Sequence, residues 1–288
     1  MLNNNIKTSL KNIILICILF FLNSCNNMTL MHPKGEIGLE EKQLILIAIF
    51  IMLSIVIPVI SMTAIFAIKY RESNKKSIYL PNWTHSKKIE YIIWGIPILA
   101  IIFLATLTWR STHLLDPKKE ILSLNNTLKI QVISLDWKWL FIYPDYNIAT
   151  INEIAFPKNV PIKFNITSNS VMNSFFIPQL GGQIYAMAGM NSILHLISNS
   201  TGIYKGISAN FSGAGFSEMK FIAISLSDQH AFDLWIQNIQ KSSKKIKNMQ
   251  DYLSIANPSI NHPIEYFSEV KPNLFHDVIN QFKHSHNI

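Results

Sequence analysis

Cysteine is nearly absent from this chain, and charged side chains are few. The 288 residues contain two cysteines, Cys17 and Cys25, and none follows residue 25. A disulfide-stapled domain is therefore excluded, and so is a thiolate-ligated metal site anywhere after residue 25. Charged residues make up 15% of the chain, against about 25% in an average soluble domain. With 49% apolar residues and a mean hydropathy of +0.23, intrinsic disorder and an ordinary cytosolic enzyme both fit poorly.

Nucleotide and catalytic-metal signatures are also missing from the sequence. Gly181–Gly182 and Gly213–Gly215 lack the spacing and the strand-to-helix context of a phosphate loop, so we expect turn glycines with positive φ. The nine histidines form no HExxH motif, and His195 alternates within a predicted strand, which favours a structural role. The formal charge of +8 comes from residues 69–90 and 241–247. These segments favour anionic lipid headgroups over nucleic acid as partners.

Residues 1–24 have the pattern of a secretory signal. Lys7 and Lys11 precede an apolar run over residues 13–22, and the sequence LNSC ends at Cys25. This resembles a bacterial lipoprotein signal, in which Cys25 becomes the acylated first residue of the mature protein; Asn23 departs from that pattern. The alternative is an uncleaved membrane helix that happens to contain a cysteine.

Two apolar stretches, uncharged over residues 44–68 and 91–108, predict transmembrane helices over residues 44–68 and 91–113. The first reaches about 37 Å as a helix, and a hydrocarbon core is about 30 Å thick. The basic loop between them, residues 69–90, is cytoplasmic by the positive-inside rule. The short segment 25–43 and all residues after 113 are then periplasmic, which agrees with acylation at Cys25.

The periplasmic part divides into residues 114–228 and 229–288. The first segment alternates with period two in several short β-rich runs, which predicts an antiparallel sandwich or barrel. The second is helical in texture and rich in aromatic residues. The run Asp136–Tyr143 (DWKWLFIY) is either a strand that buries alternate rings or a contact surface for another protein.

The order of these segments resembles subunit II of the haem–copper respiratory oxidases. The resemblance rests on the two helices, the loop motif NWTHSKKIE, the aromatic strand LDWKWLFIYP and the run Gly202–Met219. It implies an all-β, cupredoxin-like Greek-key sandwich with a C-terminal helical extension. The members that oxidise cytochrome c carry a binuclear copper centre in this sandwich.

That family has six copper-ligand positions, and all but one of them are occupied here by residues of other types. They fall on Asn173, Ser208, Asn210, Ser212, Phe216 and Met219. Only Met219 matches the family ligand, so the resemblance implies a domain that binds no redox copper. The copper-less branch is that of the cytochrome bo-type ubiquinol oxidases. The likeness extends over nearly the whole chain, in IGLEEKQLILIA, SVMNSFFIPQLGGQIYAMAGM and NHPIEYFSEVKPNLFHDVIN.

The resemblance implies a subunit of a proton-pumping complex of the bacterial inner membrane that oxidises ubiquinol and reduces oxygen to water. Haems and copper are expected in subunit I, which would be the main partner, together with subunits III and IV and membrane lipids. Glu90 matches the family position at the mouth of a proton pathway, although a solvated carboxylate near a helix N-terminus explains it equally well. The rival interpretation is a membrane-tethered lipoprotein that acts as a binding module without an oxidase.

Overall fold

The computed structural model of this protein describes residues 28–74, 78, 82–121, 123 and 125–283. They form two compact units. One is helical and covers residues 40–119, and the other is globular and contains the described residues up to Leu39 and those from Glu120 onward. The predicted signal (1–24) and Cys25 lie outside the described residues.

The helical unit contains most of helix α1, Glu36–Lys69, and all of helix α2, Lys87–Leu114. Both helices are long and apolar enough to cross a membrane, as the sequence predicts. Pro58 and Pro97 lie inside them, and proline removes one backbone hydrogen bond from each.

Both helices begin before the predicted apolar spans. The end of the predicted periplasmic segment 25–43 and the end of the loop 69–90 are helical. The prediction counted uncharged residues only, whereas glutamate and lysine are good helix formers in water. Glu40 and Lys42 therefore continue α1, and Lys87 and Lys88 begin α2.

The globular unit is a β-sandwich whose strands form two sheets. The strands are β1 (Leu128–Leu135), β2 (Lys138–Tyr143), β3 (Ile148–Ile151), β4 (Glu153–Pro157), β5 (Ile162–Ser168), β6 (Asn173–Phe176), β7 (Ile184–Ala186), β8 (Ser192–Leu196), β9 (Gly202–Ser208), β10 (Lys220–Leu226) and β11 (Glu265–Phe267). One sheet has the order β11-β3-β2-β1-β5-β8, and the other has the order β4-β10-β9-β6-β7. The sandwich expected from the alternating pattern is confirmed, and His195 lies in β8.

The sheets are mixed, and the antiparallel prediction is wrong for two pairs. β1 pairs with β5 in parallel, with Leu128 opposite Ile162, and β10 pairs with β4 in parallel, with Ile222 opposite Glu153. Alternation of apolar residues reports which face of a strand is buried and not the direction of its neighbour. The strand directions therefore depend on where the chain changes sheets.

The chain changes sheets at Asn152, the single residue between β3 and β4. Its φ is 58°, in the left-handed region that asparagine tolerates better than other side chains. Its Oδ1 accepts a hydrogen bond from Trp139 N at 2.9 Å, and its Nδ2 donates to His262 O at 2.8 Å. Its own N–H donates to Trp139 O at 3.0 Å. Asn152 thus fixes the corner between the two sheets.

The six-stranded sheet is buried on both faces. In β2, Trp139, Phe141 and Tyr143 point into the core between the sheets, whereas Leu140 and Ile142 belong to a second core. Every residue of β2 is buried. The aromatic run 136–143 is therefore mostly a strand that buries its rings, and Trp137 alone among its aromatic residues is half-buried.

The second core is completed by the C-terminal extension. The extension contains helices α3 (Gln229–Gln240), α4 (Met249–Ala256) and α5 (Leu274–Lys283), together with strand β11, which the sequence did not predict. Tyr252, Phe275 and Val278 are fully or almost fully buried against the outer face of the six-stranded sheet. β11 pairs with β3 at the edge of this sheet, so the extension covers one face and one edge.

Candidate functional site

The candidate site is the β9–β10 loop, residues 209–219, together with the start of β6. Ser208 ends β9, and a 3-10 turn over Phe216–Glu218 precedes β10. Asn173 begins β6, which pairs with β9. The fold therefore brings the six positions named from the resemblance to one end of the second sheet.

Ser208 and Asn173 form the buried centre of this site. Ser208 is 5% exposed and Asn173 is 1% exposed. The Ser208 hydroxyl donates to Asn173 Oδ1 at 2.6 Å. The Ser208 N–H donates to Met219 O at 3.0 Å, so the two ends of the loop are joined by their backbones.

Asn210 and Ser212 lie in the first half of the loop. Asn210 Nδ2 donates to Met172 O at 3.0 Å, which fastens the loop to the neighbouring β5–β6 connection. Ser212 O accepts a hydrogen bond from Trp137 Nε1 at 3.1 Å. Ser212 Oγ is buried and has no hydrogen-bond partner among the described residues.

Phe216 and Met219 lie in the second half. The Phe216 ring packs against Phe211, with 5.7 Å between the ring centroids. Met219 is 1% exposed and belongs to the core between the sheets. Its N–H donates to Phe216 O at 3.1 Å.

These residues do not fit a binuclear copper centre. Such a centre needs thiolate and imidazole ligands, whereas the six positions offer two hydroxyls, two side-chain amides, a phenyl ring and one buried thioether. Elsewhere in the part of the chain that the structure describes, no group of three His, Cys, Asp or Glu residues is placed to hold a metal ion. The geometry at this site supports a loop held by hydrogen bonds.

Trp137 packs against the loop from the β1–β2 turn. Its φ of 66° is unusual for a bulky side chain and costs roughly 1–2 kcal/mol. A Cβ on Gly215 would lie 2.5 Å from Trp137 Cγ, and one on Gly213 would lie 3.3 Å from Cζ2. Gly213 has the expected positive φ, of 111°, but the expectation is wrong for Gly181, Gly182 and Gly215. Gly215 is instead needed for space beside the indole.

Lys138, the next residue, is buried under the C-terminal extension at 2% exposure. Its Nζ donates to Asn257 O at 2.8 Å and to Ser259 Oγ at 2.6 Å. Burial lowers the pKa of Lys138, and the nearby carboxylates of Glu265 and Asp136 act in the opposite direction. The ammonium is thus paired mainly with uncharged oxygens.

His262 continues this polar cluster. Its Nδ1 lies 3.0 Å from Ser259 Oγ, and its Nε2 lies 3.6 Å from Glu265 Oε1. Burial lowers the pKa of His262, and so does the Lys138 ammonium, whereas Glu265 raises it. The neutral imidazole is therefore the favoured form in the folded protein.

A second polar cluster surrounds Glu153, a buried carboxylate at 8% exposure. Its Oε1 accepts hydrogen bonds from Tyr266 OH at 2.7 Å and from Trp235 Nε1 at 3.2 Å. Burial raises the pKa of Tyr266, and the hydrogen bond to Glu153 raises it further. Because Trp235 lies in α3 and Tyr266 in β11, one carboxylate holds two parts of the extension.

Glu90 belongs to the helical unit. It lies in the first turn of α2 and is exposed, and its N–H donates to Ser86 O at 3.0 Å. Lys87 and Lys88 precede it in the same turn. Cys25, the predicted acylation site, lies outside the described residues.

Sequence reasoning missed Asn152, Lys138 and Glu153 as organising residues. A single asparagine between two β-rich runs is a turn signal, but the alternating pattern around Asn152 does not indicate that the chain changes sheets there. Lys138 stands alone in an aromatic run, and a charged residue at such a place indicates either exposure or a buried partner. The partners of Lys138 lie 119 and 121 residues further along the chain, beyond the reach of any local pattern.

The two membrane-capable helices, the sandwich and its aromatic extension together define the class of subunit II of the haem–copper oxidases. Residues 147–226 match the family "Cytochrome C oxidase subunit II, periplasmic domain", and residues 240–286 match the "COX Aromatic Rich Motif".

Curated relatives define the family more narrowly. The chain is 55% identical to "Cytochrome bo(3) ubiquinol oxidase subunit 2" of Buchnera aphidicola subsp. Schizaphis graminum (strain Sg), over 98% of this chain and 97% of the relative. The protein of the same name from Pseudomonas putida is 52% identical, over 92% and 83%. "Ubiquinol oxidase subunit 2" of Acetobacter aceti is 49% identical, over 88% and 83%. This chain belongs to the ubiquinol oxidase subunit 2 family.

Proposed function

We propose that this chain is subunit II of a proton-pumping ubiquinol oxidase of the aerobic respiratory chain. Ubiquinol would be oxidised and oxygen reduced to water at haems and copper held by subunit I, the main partner. The observation that carries this proposal is the loop of hydroxyls and amides in place of soft metal ligands, at Ser208, Ser212 and Asn173. Because a quinol dissolves in the bilayer, it can deliver electrons there and needs no periplasmic copper relay.

In this proposal the chain has a structural and assembly role. Its two helices would pack in the bacterial inner membrane against subunit I, with subunits III and IV in the same complex. The sandwich would lie on the periplasmic side, and an acyl group on Cys25 would anchor the N-terminus. Mass spectrometry of the purified chain tests the anchor, because processing removes residues 1–24 and adds lipid mass at Cys25.

The deciding experiment is oxygen uptake by a complex purified through a tag on this chain. We expect uptake with ubiquinol, no uptake with reduced cytochrome c, and haem in the purified sample. Folded protein without haem and without uptake would support the membrane-tethered binding module instead. Uptake driven by cytochrome c would contradict the assignment to the quinol-oxidising branch.

Glu90 is proposed as a proton-uptake carboxylate for subunit I. Its side chain is exposed in the first turn of α2 and is therefore in contact with water, from which it could take up protons. Glu90→Gln should lower turnover and pumping in the assembled complex. Glu72→Gln is the matched control, since Glu72 is an exposed carboxylate of the same basic loop. Equal turnover and pumping in the two variants would show that Glu90 is only a solvated carboxylate at the end of a helix.

A further inference from the structure

The turn between β1 and β2 is held from two sides by segments that are far apart in the sequence. On one side, Trp137 Nε1 donates to Ser212 O at 3.1 Å, and the indole lies against Gly213 and Gly215 of the β9–β10 loop. On the other side, Lys138 Nζ binds Asn257 O and Ser259 Oγ of the C-terminal extension. Ser259 N–H also donates to Asp136 O at 3.4 Å. All three residues of the turn region, Asp136, Trp137 and Lys138, therefore take part in these contacts.

The backbone of Trp137 has a conformation that a bulky side chain disfavours. A two-residue connection with φ near 66° at its second position normally carries glycine or asparagine. A tryptophan stays in this region only where its surroundings hold it there. The indole contacts with the loop and the anchored Lys138 are the contacts that can do so.

Lys138 is the second independent observation. A lysine at 2% exposure is rare unless its ammonium is satisfied, and here two oxygens of the extension satisfy it. The facing charged groups are Asp136 on the turn, Glu265 and His262 on the extension, and Lys244 beyond Glu265 at 3.2 Å. Because the ammonium and the indole belong to adjacent residues, a shift of one displaces the other.

We infer that the Asp136–Lys138 turn is the cross-link through which the C-terminal extension holds the β9–β10 loop in position. The residues of this domain do not fit a metal ion that could fix the β9–β10 loop. The turn fixes the position of the loop instead. Lys138 is thus a positioning residue that acts on the loop through Trp137. The inference concerns the globular unit alone and stands whether or not the chain assembles with an oxidase.

The test is hydrogen–deuterium exchange of the full-length chain, in detergent or in its complex. Exchange is measured at hydrogen-bonded amides of the β9–β10 loop and of the C-terminal extension. The loop reporters are the amides of Phe216, Glu218 and Met219, and the extension reporter is the amide of Ser259. Lys138→Met should speed exchange at all four amides by at least about fivefold, because the variant loses the hydrogen bonds to Asn257 O and Ser259 Oγ. Lys245→Met is the matched control, because Lys245 lies on the extension in an exposed pair with Glu269, and it should leave the loop amides unchanged.

A second variant tests the same coupling from the side of the loop. Coupling between two sites acts equally in both directions, so Trp137→Gly should speed exchange at Ser259 as well as in the loop. If Lys138→Met loosens the whole sandwich, seen as faster exchange throughout β1, Ser259→Ala replaces it as the milder variant. Faster exchange at the amide of residue 259, with unchanged loop amides, in both Lys138→Met and Ser259→Ala would overturn the cross-link.

Discussion

Ser208 at the end of β9 and Asn173 at the start of β6 are joined by a side-chain hydrogen bond, with the serine hydroxyl 2.6 Å from Asn173 Oδ1 and both side chains almost fully buried. This pair occupies two of the positions at which the copper-binding relatives of this fold are expected to carry ligands. A hydrogen bond between two uncharged groups thus lies at the centre of the site.

Removing this hydrogen bond should cost stability, whereas removing a nearby hydroxyl should not. Ser208→Ala leaves the buried Asn173 Oδ1 without its donor, at a cost of about 1–3 kcal/mol in the free energy of unfolding. Ser212→Ala removes a buried hydroxyl that has no partner among the described residues, so its effect should stay within about 0.5 kcal/mol. Chemical denaturation of the two variants measures the difference, and equal destabilisation would contradict the hydrogen-bond account.

Copper should not stabilise the protein. A ligand that binds only the native state raises the unfolding temperature, and the hydroxyl and amide groups of the site are poor ligands for the copper of such centres. Thermal unfolding in the presence and absence of copper ions should therefore give the same midpoint. A copper-dependent rise of the midpoint that Met219→Leu abolishes would disprove this prediction.

Asn152 contributes through both its backbone and its side chain, and two substitutions separate them. Asn152→Gly keeps access to positive φ but removes the hydrogen bonds to Trp139 N and His262 O, so we expect a loss of about 1–3 kcal/mol. Asn152→Ala adds the cost of a left-handed alanine, roughly 1 kcal/mol more. Urea unfolding of both variants tests this order. A glycine variant as stable as the natural chain would show that the side-chain bonds are dispensable.

The cover of the six-stranded sheet should depend on buried aromatic residues of the extension. Phe275 is 1% exposed in the second core, so Phe275→Ala should destabilise the domain by about 3–5 kcal/mol. Leu253 lies on α4 and is 46% exposed, and Leu253→Ala should change the stability by less than about 0.5 kcal/mol. Thermal unfolding of both variants is the measurement. A large effect of Leu253→Ala would indicate that a partner covers that face.

His262 should make the extension less stable in acid. Burial, and next the ammonium of Lys138, lower the pKa of His262 in the folded chain, whereas the unfolded imidazole keeps a pKa of about 6.5. The unfolded state therefore binds more protons in this range, so stability falls as the pH drops below about 6.5. His262→Gln should flatten this dependence between pH 7.5 and 5.5, and the exposed His230→Gln should leave it unchanged. An unaltered pH profile in His262→Gln would show that His262 does not cause the loss of stability in acid.

The periodic features of the sequence predicted most of the fold. Uncharged runs give the two helices, and alternation gives β1, β2, β4, β5, β8 and β10, because burial on one face imposes a period on the residue types. The parallel pairs were not predictable, since strand direction depends on the corner at Asn152. β11 was missed because a strand of three residues, Glu265–Phe267, is too short to show a period.

The candidate loop was located by its resemblance to a known ligand pattern. The residues that hold the loop in position were not predicted. Met219 and the spacing of Ser208 and Ser212 identify the segment, but Trp137 and Lys138 act through contacts with distant segments. Such contacts follow from how the sheets pack, and no local pattern encodes them. The half-buried Trp137 was the exception in a strand that otherwise buries its rings as expected.

The six-stranded sheet with a core on each face also has a consequence for biogenesis. Synthesis runs from the N-terminus, so all strands of the sandwich except β11 are made before α4 and α5. Until those last helices arrive, Leu140, Ile142 and their neighbours form an apolar surface open to water. The nascent domain thus passes through an aggregation-prone stage, and a chain truncated after β10 would remain in it. Cellular quality control is therefore expected to recognise chains in which α4 and α5 have not yet covered this surface.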